Sequence, residues 1–259
     1  MRIPPLGGAR RRDGLCDRPR RGGAGASRRP RRRHGAELNA RTDPRLAPDG
    51  AARIGAIVLV GGRARRLGGI AKPLLVLAGA SLLARTVTAL AGAGAAPVVA
   101  VGPRLDDSEV VWVREDPPFG GPVAALAAAF ARDELANTEW LLLLAGDLVR
   151  PEAVVAGLCG SLPAAEGLAE ASEAIVFRAD GHPQWLAGIY RATAVRAALA
   201  TLGDPAAASC RALLGGLAIR WIEDQDGITA DVDTPADLHR ARADRTRADR
   251  AAAENEETS

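Results

Sequence analysis

The sequence of 259 residues has few cysteines and no long apolar run. Its three cysteines, Cys16, Cys159 and Cys210, are odd in number and irregularly spaced, which argues against a disulfide framework and against a zinc site. No stretch approaches the roughly 18 apolar residues of a membrane span, and the early basic residues precede no apolar signal-peptide core. We therefore expect a cytoplasmic protein with no membrane partner.

Residues for nucleophilic catalysis are also scarce. The three histidines, His34, His182 and His239, fall in a basic tail, a predicted turn and a predicted helix, and none is a candidate general base. No Ser-His-Asp or Cys-His arrangement stands out. The rarest charged residue is lysine, because Lys72 is the single lysine among 34 basic residues. A compact ammonium suits a crowded phosphate site better than the wide guanidinium of arginine, so Lys72 is a candidate functional residue.

The positive charge is confined to one end of the chain. Residues 1–52 contain 14 arginines and five acidic residues, whereas the remainder is net negative. This segment has little aliphatic periodicity, so we expect a disordered extension. It could be a nucleic-acid-binding arm, but a non-functional extension or misplaced start codon is favoured, and no nucleic-acid partner is expected. We expect a folded domain at 53–240 and a charged, helical C-terminal tail at 241–259.

Strands and helices alternate along the central part of the chain. Short apolar runs predict strands at 56–60, 97–102, 110–113 and 140–146. Helical spacing predicts helices at 81–94, with Ser81 as N-cap, and at 121–135, with Pro122 in the first turn. This alternation predicts a single α/β domain with a Rossmann-like, doubly wound, mostly parallel sheet and helices on both faces.

Acidic and glycine-rich loops follow the predicted strands. The first strand leads into a loop rich in Gly and Arg that ends at Lys72, and later strand ends carry Asp116, Asp147 and the pair Asp231 and Asp233. Ligands of such sheets bind outside the carboxyl ends of the strands. Each aspartate alone could be a turn former or N-cap. Their convergence on a basic loop predicts a site for Mg²⁺ and phosphate.

The glycine-rich loop is neither of the two common phosphate-binding motifs. A P-loop requires Gly-Lys-Ser/Thr, but Lys72 stands between Ala71 and Pro73. Glycines at 61, 62, 68 and 69 do not form the GxGxxG dinucleotide fingerprint. A different phosphate-binding loop is therefore required.

Six segments of the chain, in order, resemble the nucleotidyltransferases of GT-A-like fold, and most closely the molybdenum cofactor guanylyltransferases. They are LVGGRARRLGGIAKPLL, DPPFGGPVAAL, LLLLAGDLVRP, PQWLAGIYR, SCRALL and DVDTPADL, within residues 56–240. The resemblance implies a nucleotide-diphospho-sugar transferase-like fold. It also implies transfer of GMP from GTP to the terminal phosphate of a molybdopterin-type cofactor, with release of pyrophosphate. Molybdoenzymes or other cofactor-biosynthesis proteins are candidate protein partners.

The resemblance also implies roles for individual residues. Catalysis is assigned to Lys72, Arg66 and Asp147; nucleotide binding to Gly61, Gly62, Arg63, Lys72, Asp116 and Gly121; Mg²⁺ binding to Asp147, Asp231 and Asp233; and the second substrate to Gln184, Tyr190 and Arg211. For the last three, an ordinary structural role is equally compatible with the sequence. The chain departs from the family at Val60, usually Ala, and at Ala71, often Asp, and Asp231 and Asp233 match a pair that is often Asn.

Two alternatives remain open at this stage. A cytidylyl- or sugar-phosphate-transferring enzyme would share the fold and Lys72, although the Gly61-Gly62 pair favours guanylyl transfer, since cytidylyl-transferring relatives tend to carry Ala-Gly there. A non-catalytic nucleotide-binding protein is disfavoured because both the lone lysine and the strand-end acid Asp147 are present.

The charge asymmetry generates a test of the domain boundaries. A chain that begins at Arg53 should unfold cooperatively and keep the activity of the full chain, since residues 1–52 lack a core-forming pattern. Urea unfolding followed by circular dichroism measures this directly. Loss of the cooperative transition would show that the extension belongs to the folded domain.

Overall fold

A computed structural model describes residues 52–61, 71–162, 172–206 and 208–256. All of them fall in the compact unit Thr42–Ser259. Gly62, Arg63 and Arg66, which the sequence assigns to the nucleotide site, lie outside the described residues.

A seven-stranded sheet forms the centre of the described domain. In chain order its strands are β1 (Ile54–Leu59), β4 (Val98–Val101), β5 (Val111–Val113), β6 (Trp140–Ala145), β7 (Ala174–Ala179), β8 (His182–Arg191) and β9 (Ile219–Glu223). The short strands β2 (Val76–Leu77) and β3 (Ala80–Ser81) form a separate hairpin. Across the sheet the order is β5-β4-β1-β6-β8-β7-β9. Only β8 runs antiparallel to its neighbours β6 and β7. The sheet is therefore mostly parallel, as predicted.

In the part of the chain that the structure describes, six α-helices accompany the sheet. They are α1 (Leu82–Gly92), α2 (Pro122–Phe130), α3 (Pro151–Gly160), α4 (Ala192–Leu202), α5 (Cys210–Leu214) and α6 (Pro235–Glu256). The predicted N-cap of α1 is confirmed, since the Ser81 hydroxyl accepts a hydrogen bond of 3.0 Å from the backbone N–H of Ala84.

The second predicted helix is wrong at its C-terminal end. Helix α2 stops at Phe130, because Arg132 takes an extended conformation, and a separate 3₁₀ turn covers Asp133–Leu135. This change of direction lets Leu135 become fully buried in the core. Burial of one leucine side chain contributes about 2 kcal/mol to stability.

Successive residues of the central strands face two separate cores. In β1, Ala56 and Val58 pack with α1 and α3 on one face, whereas Ile57 packs with α2, α4 and α5 on the other. Strand β6 alternates in the same way, with Leu142 on the first face and Leu141 on the second. Both faces of each strand are covered, which explains why the strand sequences are continuously apolar.

The connections change direction between β1 and β6. The chain passes from β1 through α1 to β4, and later from β5 through α2 to β6, and the two helices cover opposite faces. Where the connections reverse direction, the loops that leave the two neighbouring parallel strands run to opposite faces of the sheet. A crevice therefore forms between these loops. The loops that follow β1 and β6 therefore border the expected ligand site.

Gly102 allows the backbone to close up at this edge of the sheet. It follows β4 with φ of 146°, a value that L side chains rarely adopt. A Cβ atom added there would lie 2.8 Å from the backbone nitrogen of Gly61, the first residue of the glycine-rich loop that the structure describes. The end of β4 can thus lie directly against the start of that loop.

None of the helices in the described part of the chain has the length and apolar character to cross a bilayer. The longest, α6, consists largely of charged residues and alanine and runs from Pro235 to Glu256.

Candidate active site

Lys72 lies in a short 3₁₀ turn, Lys72–Leu74, that is fixed from beneath. Pro73 is buried, and the turn is closed by a 3.0 Å hydrogen bond from the Leu75 N–H to the Lys72 carbonyl. The Lys72 ammonium lies 3.4 Å from Oδ2 of Asp147 and donates a short hydrogen bond to Oδ1 of Asp233. Residues separated by up to 161 positions in the sequence therefore meet around one ammonium.

Asp147 and Asp231 are brought together by backbone pairing. Asp147 follows β6, and the next residue, Leu148, forms an antiparallel bridge with Asp231. The Val232 N–H donates to the Asp147 carbonyl at 3.3 Å, and the Val149 N–H donates to the Ala230 carbonyl at 2.9 Å. Two carboxylates thus project from adjoining backbone segments at the carboxyl end of β6.

Val232 anchors the acidic segment between its two aspartates. Its side chain is fully buried in a small apolar cluster with Leu77, Leu82 and Ala241. Because neighbouring side chains of extended backbone point in opposite directions, burial of Val232 directs Asp231 and Asp233 away from this cluster. The same cluster fixes the hairpin β2–β3 and helix α6 behind the site.

A capping box holds the backbone of Asp233. Thr234 precedes α6, and Oδ2 of Asp237 accepts from the N–H groups of Thr234 at 2.7 Å and Asp233 at 3.1 Å. In return the Asp237 N–H donates to the Thr234 hydroxyl at 3.3 Å. This reciprocal pattern satisfies N–H groups that a helix start leaves open. It fixes the chain where it turns from the acidic segment into α6.

The charges of the cluster perturb one another. Burial raises the pKa of Asp147 although the Lys72 ammonium acts in the opposite sense. The carboxyl group of Asp231 loses hydration against the site wall, and this loss together with the charges of Asp147 and Asp233 raises its pKa. Burial opposes the charge of Lys72, but its hydrogen bond to Asp233 and the charges of Asp147 and Asp233 outweigh burial and raise its pKa. Lys72 is therefore a cation at neutral pH.

Three members of the cluster, Lys72, Asp147 and Asp231, form one wall of a cleft of about 570 Å³. The remaining walls come from loops after β1, β4 and β5 and from β8. The lining residues include Gly61, Lys72, Pro103, Glu115, Phe119, Gly121, Asp147, Leu186 and Asp231. A volume of this size accommodates a small-molecule ligand.

The structure brings together only part of the predicted nucleotide site. Gly61, Lys72 and Gly121 line the cleft, and Gly121 has φ of 96° as the N-cap of α2. Asp116 is exposed and is not among the described lining residues, whereas its neighbour Glu115 is. Oε1 of Glu115 accepts a 2.9 Å hydrogen bond from the Phe119 N–H.

The residues proposed for a second substrate are dispersed. Tyr190 is fully buried, and its hydroxyl donates a 2.8 Å hydrogen bond to the Trp185 carbonyl, so it is a core residue that holds β8 in shape. Arg211 lies exposed on α5, and Gln184 donates to the His182 carbonyl at 3.3 Å. Among the described residues, none of these three lines the cleft. Leu186, two residues beyond Gln184 in β8, does.

Within the residues that the structure describes, no group of three or more His, Cys, Asp or Glu side chains is arranged to enclose a metal ion. Of the three predicted metal ligands, Asp147 and Asp231 line the cleft, whereas Asp233 pairs with Lys72. The described part of the site therefore offers an open pair of carboxylates, Asp147 and Asp231, rather than a closed metal cage.

Solved structures share this architecture. Rv0371c from Mycobacterium tuberculosis H37Rv superposes with a TM-score of 0.54 at 24% identity, over 74% of this chain and 99% of that one. Its complex with manganese gives 0.52 at 22% identity, with the same coverage of both chains. A nucleotidyl transferase from Methanothermobacter superposes with a TM-score of 0.57 at 22% identity, over 76% of this chain and 100% of that one. The 2-C-methyl-D-erythritol 4-phosphate cytidylyltransferase from Thermus thermophilus superposes with a TM-score of 0.51 at 19% identity, over 74% of this chain and 98% of that one. No curated protein matches the chain.

The sheet order and these superpositions define a nucleotide-diphospho-sugar transferase-like fold. Residues 56–223 match the family described as MobA-like NTP transferase domain. The match spans well over half of the sequence, and the chain belongs to this family. Asp231 and Asp233 follow the matched range, and their position in the site comes from the structure alone.

The capping box predicts a pH-dependent contribution to stability. Hydrogen bonds from Thr234, with the Arg240 guanidinium, lower the pKa of Asp237 from 3.8 to about 2. A carboxyl group whose pKa is lower in the folded state stabilises the fold at pH values above its unfolded-state pKa. This stabilisation is lost as the pH falls through the folded-state pKa. Asp237→Asn should therefore be less stable than wild type at neutral pH, and the difference should shrink between pH 3.8 and about 2.

Urea unfolding at a series of pH values measures this difference. Asp244→Asn is the matched control, since Asp244 lies on the same helix but pairs with Arg247 and caps nothing among the described contacts. A deficit of Asp237→Asn that stays constant down to the lowest pH would contradict the assignment of the capping charge.

Proposed function

We propose that this protein transfers a nucleoside monophosphate from a nucleoside triphosphate to a phosphate-bearing acceptor, with release of pyrophosphate. The observation that supports this best is the single lysine, held beside Asp147 and Asp233 at the reversal point of the sheet and facing a cleft. Membership of the NTP transferase family supports the same reaction class.

The chain's own residues act through position and charge. Gly61 and Gly121 border the cleft without side chains, so the backbone can approach a nucleotide closely. The acceptor phosphate attacks the α-phosphorus in line, the bond to the bridging oxygen breaks, and pyrophosphate leaves. The Lys72 ammonium stabilises the charge that develops on the leaving pyrophosphate. A phosphate nucleophile is already ionised at neutral pH, so this scheme requires no general base.

The pair of carboxylates fits a divalent cation. Burial first, and then the negative charge of Asp147, raise the pKa of Asp231. Hard oxygen ligands of this kind suit Mg²⁺. Mg²⁺ commonly takes one or two carboxylates and completes its shell with water and phosphate oxygens, which agrees with the open arrangement here. When bound, Mg²⁺ would supply charge neutralisation at the α-phosphate.

For the substrates, we propose GTP and a molybdopterin-type acceptor. The Gly61-Gly62 pair and the other segments that resemble the guanylyltransferases support this choice, although Gly62 lies outside the described residues. The cytidylyltransferase among the structural neighbours makes cytidylyl transfer the second candidate. Arg66, also outside the described residues, remains a proposed partner of Lys72 at the triphosphate.

Pyrophosphate release distinguishes these candidates. The purified protein is incubated with each nucleoside triphosphate in turn, with Mg²⁺ and with molybdopterin or a sugar phosphate as acceptor. We expect release with GTP and molybdopterin, and loss of turnover by orders of magnitude in Asp147→Asn, which is nearly isosteric. Asp107→Asn is the control, because its side chain is fully exposed and pairs only with Arg104 among the described contacts. If CTP is the one triphosphate that supports pyrophosphate release, the second candidate is favoured. If none of the nucleoside triphosphates supports release, the proposal is rejected.

Substitution of the lone lysine tests the leaving-group role. Lys72→Ala should lower kcat/KM by roughly 10² to 10³, the usual loss for one preorganised electrostatic group. Lys72→Arg should restore little of this loss, because a wide planar guanidinium does not reproduce the compact ammonium that contacts both Asp147 and Asp233. Steady-state kinetics measure both variants. An arginine variant as active as wild type would show that only the charge of Lys72 matters.

A further inference from the structure

Phe119 presents a large apolar ring at the cleft from a strained backbone. It lies in the loop between β5 and α2, lines the cleft and is 54% exposed. Its φ is 67°, in the left-handed region, where a bulky L residue is an outlier and costs free energy. A glycine would adopt this conformation without that cost. The chain therefore carries an aromatic residue where both the backbone and the exposure of the ring disfavour one.

Contacts within its own loop hold Phe119 in this conformation. Its N–H donates a 2.9 Å hydrogen bond to Oε1 of Glu115. The guanidinium of Arg114 lies 6.0 Å from the centroid of its ring, at the outer limit of a cation–π contact. The ring remains more than half exposed in spite of these contacts. The loop therefore fixes the position of the ring without burying it.

The sheet separates Phe119 from the charged end of the cleft. Strands β4 and β5 lie on one side of β1, whereas β6, which ends just before Asp147, lies on the other. Neighbouring strands are about 4.8 Å apart, so β5 lies about 10 Å from β1. A nucleoside triphosphate whose phosphates lie at Lys72 can therefore extend its sugar and base towards β4 and β5.

The wall of the cleft beside β4 is apolar. Val101 at the end of β4, with Pro103 and Leu105 in the loop that follows, lines the same cleft as Phe119. The flat face of a nucleobase stacks favourably on an aromatic ring, and such stacking tolerates any base because every base has a π-face. The β4–β5 side of the cleft thus has the chemistry that suits a base, and the Lys72 side has the chemistry that suits phosphates.

We infer that Phe119 is a substrate-binding residue, whose ring stacks on the nucleobase of the triphosphate. The inference rests on the proposed function, in which the nucleotide lies along the backbone at Gly61 and Gly121, and Phe119 is two residues before Gly121. Stacking offsets the cost of the left-handed backbone. It anchors the base as a flat ring and leaves the choice among the four bases to hydrogen-bonding groups of the cleft.

A pair of substitutions isolates the aromatic ring. Phe119→Leu keeps an apolar side chain but removes the π-face, whereas Phe119→Tyr keeps that face. Phe119→Leu should weaken GTP binding about five- to tenfold, the lower part of the range for base–aromatic stacking, because the ring is partly exposed. Phe119→Tyr should match wild type. Isothermal titration calorimetry of the full chain with GTP and Mg²⁺, without acceptor, measures the affinity without turnover.

Inorganic tripolyphosphate is the matched probe without a base. Its affinity should be the same in wild type and Phe119→Leu, because its phosphates reach Lys72 and nothing reaches the ring. Val76→Ala is the control variant, since Val76 is also an exposed apolar residue, at 50%, and is not among the described residues that line the cleft. It should bind GTP as wild type does.

Phe119→Gly separates binding from folding. Glycine relieves the strain of the left-handed backbone, and this offsets its greater freedom in the unfolded chain, so the thermal unfolding temperature should not fall. GTP binding should nevertheless weaken as much as in Phe119→Leu. A side chain kept for stability alone would give the reverse result, a lower unfolding temperature with unchanged affinity.

The outcomes distinguish the inference from the proposed function. Weaker binding of GTP but not of tripolyphosphate, in both the Leu and Gly variants, supports stacking. Unchanged GTP affinity overturns it, and so does an equal loss for GTP and tripolyphosphate, which would show that the ring only shapes the loop. A Tyr variant as weak as the Leu variant also overturns it. If wild type binds no nucleoside triphosphate, the proposed function itself fails.

Discussion

The interaction on which the site depends is the contact of one ammonium with carboxylates from distant parts of the chain. Lys72 comes from the turn after the glycine-rich loop, Asp147 from the end of β6, and Asp233 from the segment before α6. Without the cation, three neighbouring carboxylates would repel one another in a partly dehydrated setting. Without the carboxylates, the ammonium would have to be hydrated or bound to a ligand. The site is thus balanced in charge and still open to exchange.

The sheet explains why these groups meet. Reversal of the strand order between β1 and β6 opens a crevice at their carboxyl ends, and loops from both strands border it. The acidic segment, Asp231 to Asp233, reaches the same place because Asp231 forms an antiparallel bridge with Leu148, just past the end of β6. A small core around Val232 and a capping box at Thr234 then hold that segment. Each charged group is therefore supported by apolar packing or by backbone pairing close behind it.

Much of this could be predicted from the sequence, and the limits have physical causes. Continuous apolar runs identified the central strands because both faces of each strand are covered, and Ser81 marked a helix start through its cap. Local pattern could not distinguish Glu115 from Asp116. In the structure Glu115 lines the cleft and accepts a hydrogen bond from the Phe119 N–H, whereas Asp116 is exposed.

Tertiary packing decides the remaining differences. Tyr190 looks like a polar residue beside a site, but its hydroxyl is satisfied by a carbonyl inside the core. The ion pair of Lys72 with Asp233 spans 161 positions, and nothing in the short-range pattern indicates it.

The wide spacing of the three contributing segments has a consequence for biosynthesis. The four adjacent strands β5, β4, β1 and β6 are complete once residue 145 has been made, so this part of the sheet can assemble early on the ribosome. The bridge at Asp231 and the cap at Thr234 require almost another hundred residues. Until that segment emerges, a nascent chain has Lys72 and Asp147 but lacks their acidic neighbours. The acidic side of the site is therefore completed last. A chain released prematurely after β9 would contain all the strands of the sheet but would lack Asp231 and Asp233.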